Sequence, residues 1–244
     1  MPEIELVEEQ EEQQEEKKEV ISTGHAEIDK KLGGGIPVGS LTLIEGQSDA
    51  GKSVFAQQMI WGSINSKHKV LMFTTENSVR SLNTQMESLG LDILDALLLG
   101  WLKVYPVATS RMEVADTFGT ILDAIEHHTG HNMVVVDSLT PVIAHTTVGN
   151  IISYFEGCKK LCDRGKTIIN IAHTYAFNEE VLARIRSVCD AHFRLRIQEV
   201  GDKLIKVLEV AKVRGADKNT GNILSFEVEP GMGMRVMPIS QAKA

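Results

Sequence analysis

The sequence predicts an α/β domain with a mostly parallel central sheet that is extended by antiparallel strands near its C-terminus. From Leu41 to Ala172, apolar segments of strand length alternate with segments of helical periodicity, which is typical of parallel strands joined by helical crossovers. From His192 to Val210, apolar and polar residues alternate on both sides of a Gly-Asp turn, which indicates an antiparallel hairpin. A single domain of this kind fits a chain of 244 residues.

The domain is predicted to span residues 21–230, between two segments of different character. Residues 1–20 hold nine Glu and two Lys, giving a charge of −7. Such a segment has too little apolar surface to offset its ordering entropy, so we expect a disordered acidic tail. Residues 231–244 are predicted to form an irregular C-terminal tail. The other 224 residues carry 24 acidic and 23 basic side chains, so the domain lacks an overall basic field for nucleic acid.

The strongest motif is a phosphate-binding loop between a predicted strand and a predicted helix. The predicted nucleotide-binding residues are Gly46, Gln47, Ser48, Asp49, Ala50, Gly51, Lys52, Ser53 and Val54. The first eight have the P-loop form, in which two glycines separated by four residues are followed by Lys and Ser. The glycines permit a turn that directs N–H groups toward the β-phosphate, and the N-terminus of the following helix favours an anion.

The side chains of this loop predict ATP and Mg²⁺ as cofactors. Lys52 is expected to contact the β- and γ-phosphates, and the Ser53 hydroxyl is expected to bind Mg²⁺. Asp49 would repel phosphate if it faced the ligand, so we expect its side chain to point outward. Asp137 ends the apolar run Met133–Val136, which is the Walker B form. This places Asp137 at the carboxyl end of a buried strand, where it would join Ser53 in the metal shell through a water molecule.

The segment before the P-loop strand carries a more specific pattern. It contains Thr23-Gly24, Ile28-Asp29 and then Leu-Gly-Gly-Gly-Ile-Pro-Val-Gly-Ser over residues 32–40. We expect Ser22 or Thr23 to cap a short helix here. Together with the P-loop and the Walker B strand, this pattern resembles the KaiC-like branch of the RecA superfamily over residues 21–228. The resemblance implies a RecA-like P-loop core with antiparallel strands at its C-terminal end.

The resemblance also implies a catalytic role for Glu76. In KaiC-like and RecA-like ATPases, a glutamate at the end of this strand acts as the base that activates water. KaiC-like proteins commonly carry two adjacent glutamates there, whereas Asn77 occupies the second place in this chain. Slow or negligible hydrolysis is therefore expected. Alternatively, Glu76 caps the helix that is predicted to begin at Ser78.

Three more residues have roles that the resemblance implies. His173 resembles the polar sensor of the γ-phosphate, with a histidine satisfied at the sheet edge as the alternative. Lys212 and Arg214, in the run Lys-Val-Arg-Gly, resemble the basic pair that reaches into the nucleotide site of the neighbouring subunit. Such a finger supplied in trans implies a head-to-tail ring. The alternative for this pair is a solvated basic turn.

Within the KaiC-like branch, two further runs resemble the ATP-binding accessory proteins of the archaellum (archaeal flagellum) motor. They are Gly-Lys-Ser-Val-Phe-Ala-Gln-Gln after the loop and Thr-Thr-Glu-Asn at the strand end. This resemblance implies a cytoplasmic protein that is peripheral to the membrane and binds the hexameric motor ATPase and the membrane-associated ring or platform proteins. Its ATP-bound form would be a homo-oligomeric ring. No transmembrane segment is expected, since the longest apolar region, residues 91–102, is too short.

Two other functional classes are alternatives for a P-loop protein of this kind. A RecA-like or RadA-like DNA-dependent ATPase would need basic DNA-contacting loops, but residues 138–150 and 174–180 contain no Lys or Arg. Nucleic acid is therefore not expected as a partner. A KaiC-like autokinase would need a phosphoacceptor, and no Ser or Thr lies in a recognisable motif. The three cysteines lack the spacing of a disulfide framework or a zinc site, which predicts a reducing compartment.

Overall fold

A computed structural model of the protein describes residues 19–107, 114–201, 203–214 and 222–237, with the backbone alone at 114–116. Nearly all of the predicted acidic tail, residues 1–18, lies outside the described residues. Gly215, the last residue of the Lys-Val-Arg-Gly run, also lies outside them. In the described part of the chain, no helix has both the length and the apolar character needed to cross a membrane.

Eleven strands are present in the described residues. They are β1 (Val20–Ile21), β2 (Ile36–Pro37), β3 (Leu41–Gly46), β4 (Val70–Thr74), β5 (Leu102–Pro106), β6 (Met133–Asp137), β7 (Thr167–His173), β8 (Ala191–Val200), β9 (Lys203–Val213), β10 (Asn222–Glu229) and β11 (Gly233–Met237).

Eight α-helices and one short 3₁₀ turn are present in the same residues. They are α1 (Ala26–Leu32), α2 (Lys52–Asn65), α3 (Val79–Ser88), α4 (Leu94–Leu98), α5 (Val114–His127), α6 (Thr140–Ile143), α7 (Val148–Asp163), α8 (Glu179–Val188) and the 3₁₀ turn Thr174–Ala176.

Nine of the strands form one sheet in the order β11-β10-β9-β8-β3-β7-β6-β4-β5. Strands β8, β3, β7, β6, β4 and β5 pair in parallel, and β8 to β11 pair antiparallel. The predicted hairpin joins β8 to β9, with Val200 opposite Lys203. The predicted fold class is therefore confirmed. Strand β8 belongs to both parts, because it is parallel to β3 on one side and antiparallel to β9 on the other.

The prediction of an irregular tail over residues 231–244 is wrong for Gly233–Met237. These residues form β11, which pairs antiparallel with β10 and places Met234 opposite Val228. The chain reverses at Gly231, whose φ of 74° lies in the left-handed region that glycine tolerates best. Met234 then becomes buried. Burial of the apolar Met234 side chain favours the pairing of the returning segment with β10.

The central strands separate two apolar cores. One core packs the sheet against α1 to α4, and the other packs it against α5 to α8. Residues 133–137 and 70–74 are buried throughout, as expected for parallel strands that are covered on both faces. Because β3, β4, β6 and β7 run in the same direction, their carboxyl ends meet at one edge of the sheet. That edge carries the candidate site.

Candidate functional site

A cavity of about 520 Å³ lies at the carboxyl ends of the parallel strands. Six of the nine predicted nucleotide-binding residues line it, namely Ser48, Asp49, Gly51, Lys52, Ser53 and Val54. Three other predicted site residues, Glu76, Asp137 and His173, line the same cavity. The fold thus brings together residues from four segments that are well separated in the sequence.

The two glycines of the loop occupy positions that a side chain would disrupt. A Cβ on Gly46 would lie 2.2 Å from the carbonyl oxygen of Leu195 on β8. Gly51 has a φ of 89° and is the N-cap of α2, so the loop passes directly into the helix. Gly46, Gln47 and Ala50 do not line the cavity. They shape the loop, and Gln47 fixes it to β8 by accepting a hydrogen bond from the Ile197 N–H at 3.0 Å.

Lys52 is buried at the base of the cavity. Its Nζ donates to the carbonyl oxygen of Gln47 at 2.6 Å and to Nδ1 of His173 at 3.2 Å. Burial lowers the pKa of Lys52, while the carboxylates of Asp137, Glu76 and Asp49 act in the opposite direction. The ammonium group therefore lies among acids that would otherwise repel a phosphate.

Ser53 and Asp137 meet across the cavity, as the metal prediction requires. The Ser53 hydroxyl donates to Oδ1 of Asp137 at 3.4 Å. The other carboxylate oxygen, Oδ2, is buried and has no hydrogen-bond partner among the described residues. Burial, with the nearby Glu76 carboxylate, raises the pKa of Asp137 to about 7. A hydroxyl beside an unsatisfied carboxylate oxygen is a donor set that suits Mg²⁺, so these residues fit the predicted metal.

Glu76 lines the cavity directly after β4, where the threonine at the end of the strand fixes the backbone. The Thr74 hydroxyl accepts from the N–H groups of Glu76 and Asn77 at 3.2 and 3.0 Å. The alternative of Glu76 as a helix cap is wrong. Helix α3 is capped by Ser78, which exchanges side-chain and backbone hydrogen bonds with Ser81. The Glu76 carboxylate is therefore available to the cavity.

His173 ends β7 beside the P-loop lysine. Its backbone N–H donates to the Thr140 hydroxyl at 2.9 Å, and its ring stacks on Tyr175 at a centroid distance of 4.9 Å. Burial and the Lys52 ammonium lower the pKa of His173. A neutral imidazole can accept a hydrogen bond from Lys52. His173 therefore connects the Lys52 ammonium to Tyr175 in the 3₁₀ turn.

Lys212 and Arg214 lie outside this cavity, at the C-terminus of α8. Lys212 Nζ donates to the carbonyl oxygens of Arg186 and Cys189 at 2.9 and 2.5 Å. Arg214 donates to the carbonyl oxygen of Ser187 at 2.9 Å. Both cations therefore donate to carbonyl groups at the C-terminal end of the helix, where the helix dipole favours positive charge. Neither lines this cavity in its own chain.

A buried ionic cluster that sequence reasoning missed connects the P-loop strand to α8. Glu45, the residue before Gly46, is fully buried and accepts hydrogen bonds from Arg186 and from His192 Nε2. Burial alone would raise the pKa of Glu45, but these hydrogen bonds hold it at about 2. A charged residue directly after the run Leu-Thr-Leu-Ile, within the predicted buried strand, was the signal for this cluster. The cluster ties the P-loop to the helix whose end holds Lys212 and Arg214.

Three residues of the cavity itself were also missed. Gln85 comes from α3 and accepts a hydrogen bond from Gln57 at 2.7 Å, while Lys206 and Val228 come from the antiparallel extension. The alternating pattern of β9 and β10 predicted strands, but it contained no information about what those strands would face.

Comparison with known proteins supports the predicted resemblance to the KaiC-like branch. The family model described as "ATPase: KaiC" matches residues 21–241. The archaeal flagellar ATP-binding protein FlaH of Sulfolobus acidocaldarius is 29% identical over 229 residues, which cover 92% of this chain and 100% of that protein.

Solved structures agree with the sequence comparison. The crystal structure of the flagellar accessory protein FlaH from Methanocaldococcus jannaschii matches with a TM-score of 0.77 at 27% identity, covering 90% of this chain and 100% of that one. A KaiC-like protein from Pyrococcus horikoshii shares the fold, with a TM-score of 0.76 at 19% identity over 91% of this chain and 100% of that one. The predicted RecA-like fold and the predicted similarity to archaellum accessory proteins are confirmed. The chain therefore belongs to the KaiC family of ATPases.

Proposed function

We propose that this protein is a nucleotide-dependent assembly switch of the archaellum motor, with slow or negligible ATP turnover. It binds Mg²⁺ and ATP in the cavity of a single chain and forms a homo-oligomeric ring when ATP is bound. In that form it binds the motor ATPase and the membrane-associated ring or platform proteins. It acts in the cytoplasm, peripheral to the membrane and without nucleic acid.

The observation that carries this proposal is that the predicted nucleotide-holding groups line the cavity, whereas the predicted finger residues lie at the end of α8. The P-loop, Ser53, Asp137 and Glu76 line one cavity, so a single chain has the groups needed to hold the nucleotide. Lys212 and Arg214 are hydrogen-bonded at the end of α8, outside that cavity. A monomer therefore lacks the finger that Lys212 and Arg214 would supply in trans, and such a finger can contribute about 10³–10⁵ in rate.

The metal would be held by the Ser53 hydroxyl and the Asp137 carboxylate. When bound, it would neutralise charge on the phosphates. The other groups that position the phosphates and the attacking water are side chains of this chain. Lys52 is placed to exchange its Gln47 and His173 partners for phosphate oxygens, and Glu76 is placed to orient water. ATP favours the ring because it binds the assembled site better than the open one.

Replacing Glu76 by Gln should leave ATP affinity within about twofold and lower the residual turnover by about tenfold or more. A carboxylate that orients water is not needed to hold phosphates. Affinity is measured by calorimetry and turnover by phosphate release, with Glu87→Gln on the exposed side of α3 as the matched control. Loss of ATP binding in Glu76→Gln alone would show that Glu76 is structural.

Replacing Arg214 by Ala should weaken ATP-dependent association by about tenfold or more, as is typical of an interfacial arginine. The ATP affinity of the dilute monomer should stay within about twofold, because Arg214 does not line its own cavity. Arg164→Ala is the matched control, since Arg164 is an exposed arginine paired with Glu126 on the surface. Light scattering against protein concentration gives the association constant. Equal assembly of the two variants would contradict a finger supplied in trans.

A further inference from the structure

Lys206 reaches the nucleotide cavity from β9, in the antiparallel extension of the sheet. It lines the same cavity as Lys52, and its Nζ donates to the carbonyl oxygen of Asp49 at 2.5 Å. Lys52 makes the corresponding contact two residues earlier in the loop, at the carbonyl oxygen of Gln47. Two ammonium groups of the same chain thus hold two carbonyl groups of one phosphate-binding loop.

Packing fixes Lys206 in this place. Phe226 on β10 lies opposite Lys206 on β9. A Cβ on Gly51 would lie 3.1 Å from the Phe226 ring and 3.4 Å from Cδ of Lys206. The ring and the apolar stem of the lysine therefore cover Gly51 from the side of the extension. The loop cannot move away from Lys206 without also losing these contacts.

The chemistry of the contact favours an anion. A phosphate loop binds through its N–H groups, so its carbonyl groups must turn away from the ligand. An ammonium that holds the Asp49 carbonyl keeps that peptide in the required orientation. Charge-assisted hydrogen bonds of this kind are about twice as strong as neutral ones.

We propose that Lys206 is a positioning residue that acts in cis and prepares the P-loop for the diphosphate part of the nucleotide. This inference rests on the proposed nucleotide binding and deepens it. Because Lys206 acts on the loop and not on the γ-phosphate, it strengthens ATP and ADP binding by the same factor. It thereby lets a monomer bind nucleotide before any neighbouring subunit is present. Lys212 and Arg214, which lie outside the cavity, cannot do this in a single chain.

The test is to compare Lys206→Gln and Lys206→Arg with Lys203→Gln, which removes an exposed lysine from the same strand. ATP and ADP affinities are measured by calorimetry at a concentration where light scattering shows a monomer. We expect Lys206→Gln to weaken both nucleotides by about tenfold, the lower end of the loss for a hydrogen bond from a charged group, because the Asp49 carbonyl that Lys206 holds is neutral. The ratio of the two affinities should not change. Lys206→Arg should restore most of the loss, and Lys203→Gln should match the wild type.

Three results would overturn the inference. Lys206→Gln could bind both nucleotides as the wild type does. It could weaken ATP alone, which would make Lys206 a γ-phosphate contact. Lys206→Arg could fail to rescue while both variants lower the unfolding temperature, which would make Lys206 a packing residue. If the wild type binds neither nucleotide, the proposed function fails first, and the two failures are therefore distinguishable.

Discussion

Replacing Lys52 by alanine is expected to lower ATP affinity about a hundredfold. Lys52 is the buried cation of the cavity, and its removal leaves Asp137, Glu76 and Asp49 without the ammonium that offsets them. The loss of one charge-assisted contact to phosphate costs about 2–3 kcal/mol, which is about two orders of magnitude in affinity. The variant also loses the hydrogen bond to the Gln47 carbonyl, so the loop itself should become less well ordered.

The measurement is titration calorimetry with ATP and Mg²⁺. Lys160→Ala removes an exposed lysine from α7 and serves as the matched control. Thermal unfolding of both variants without nucleotide shows whether the fold is intact. Unchanged ATP affinity in Lys52→Ala would contradict the assignment of Gly46 to Ser53 as a phosphate-binding loop.

Replacing Asp137 by asparagine is expected to stabilise the protein without nucleotide and to remove its response to Mg²⁺. The pKa of Asp137 is about 7 in the folded state, against an ordinary value of 3.8. Between these two values the folded state binds more protons than the unfolded state, so the free energy of unfolding falls as the pH rises. Above pH 7 the full cost applies, on the order of 4 kcal/mol. Asparagine is neutral and carries no such cost.

Denaturant unfolding at pH 5 and pH 8 measures this effect. The wild type should lose stability between the two values, and Asp137→Asn should lose much less. With ATP already present at pH 8, addition of Mg²⁺ should stabilise the wild type further and leave the variant nearly unchanged. Asp123→Asn, at an exposed position of α5, is the matched control. A variant that keeps the full stabilisation by Mg²⁺ would show that Asp137 is not a metal ligand.

The parallel core could be predicted from the sequence because each of its signals is local. Fully apolar runs such as residues 133–136 predict buried strands by themselves, and Asp137 follows one of them directly. The P-loop is also contiguous. Once the strands are known to be parallel, their carboxyl ends must share one edge. The meeting of Lys52, Asp137 and His173 at one cavity therefore follows from the topology.

The rest of the site depends on contacts between segments that the sequence does not place side by side. In the sequence, Lys206 is an ordinary polar residue of an alternating strand. Its contact with Asp49 arises because β9 pairs with β8, which lies next to the P-loop strand. Helix α8 was missed, although Asn178 at its N-cap and the apolar residues Val181 and Ile185 were available signals.

The start of α1 is a similar case. The sequence predicts Ser22 or Thr23 as the cap of this helix, but its N-cap is His25. The Ser22 and Thr23 hydroxyls instead donate to the Asp29 carboxylate, each at 2.6 Å. Several polar residues near the start of a helix can each serve as its N-cap. Which of them does so depends on the position of the chain that enters from β1.

Nucleotide-dependent assembly of the wild type is tested most directly by its molar mass in solution. Light scattering after size exclusion is compared without nucleotide and with ADP, ATP or a non-hydrolysable ATP analogue, all with Mg²⁺, while phosphate release is followed in parallel. We expect a monomer without nucleotide, equal assembly with ATP and with the analogue, and slow phosphate release. Vigorous hydrolysis by the dilute monomer, with a molar mass that is the same with and without nucleotide, would contradict a nucleotide-dependent assembly switch.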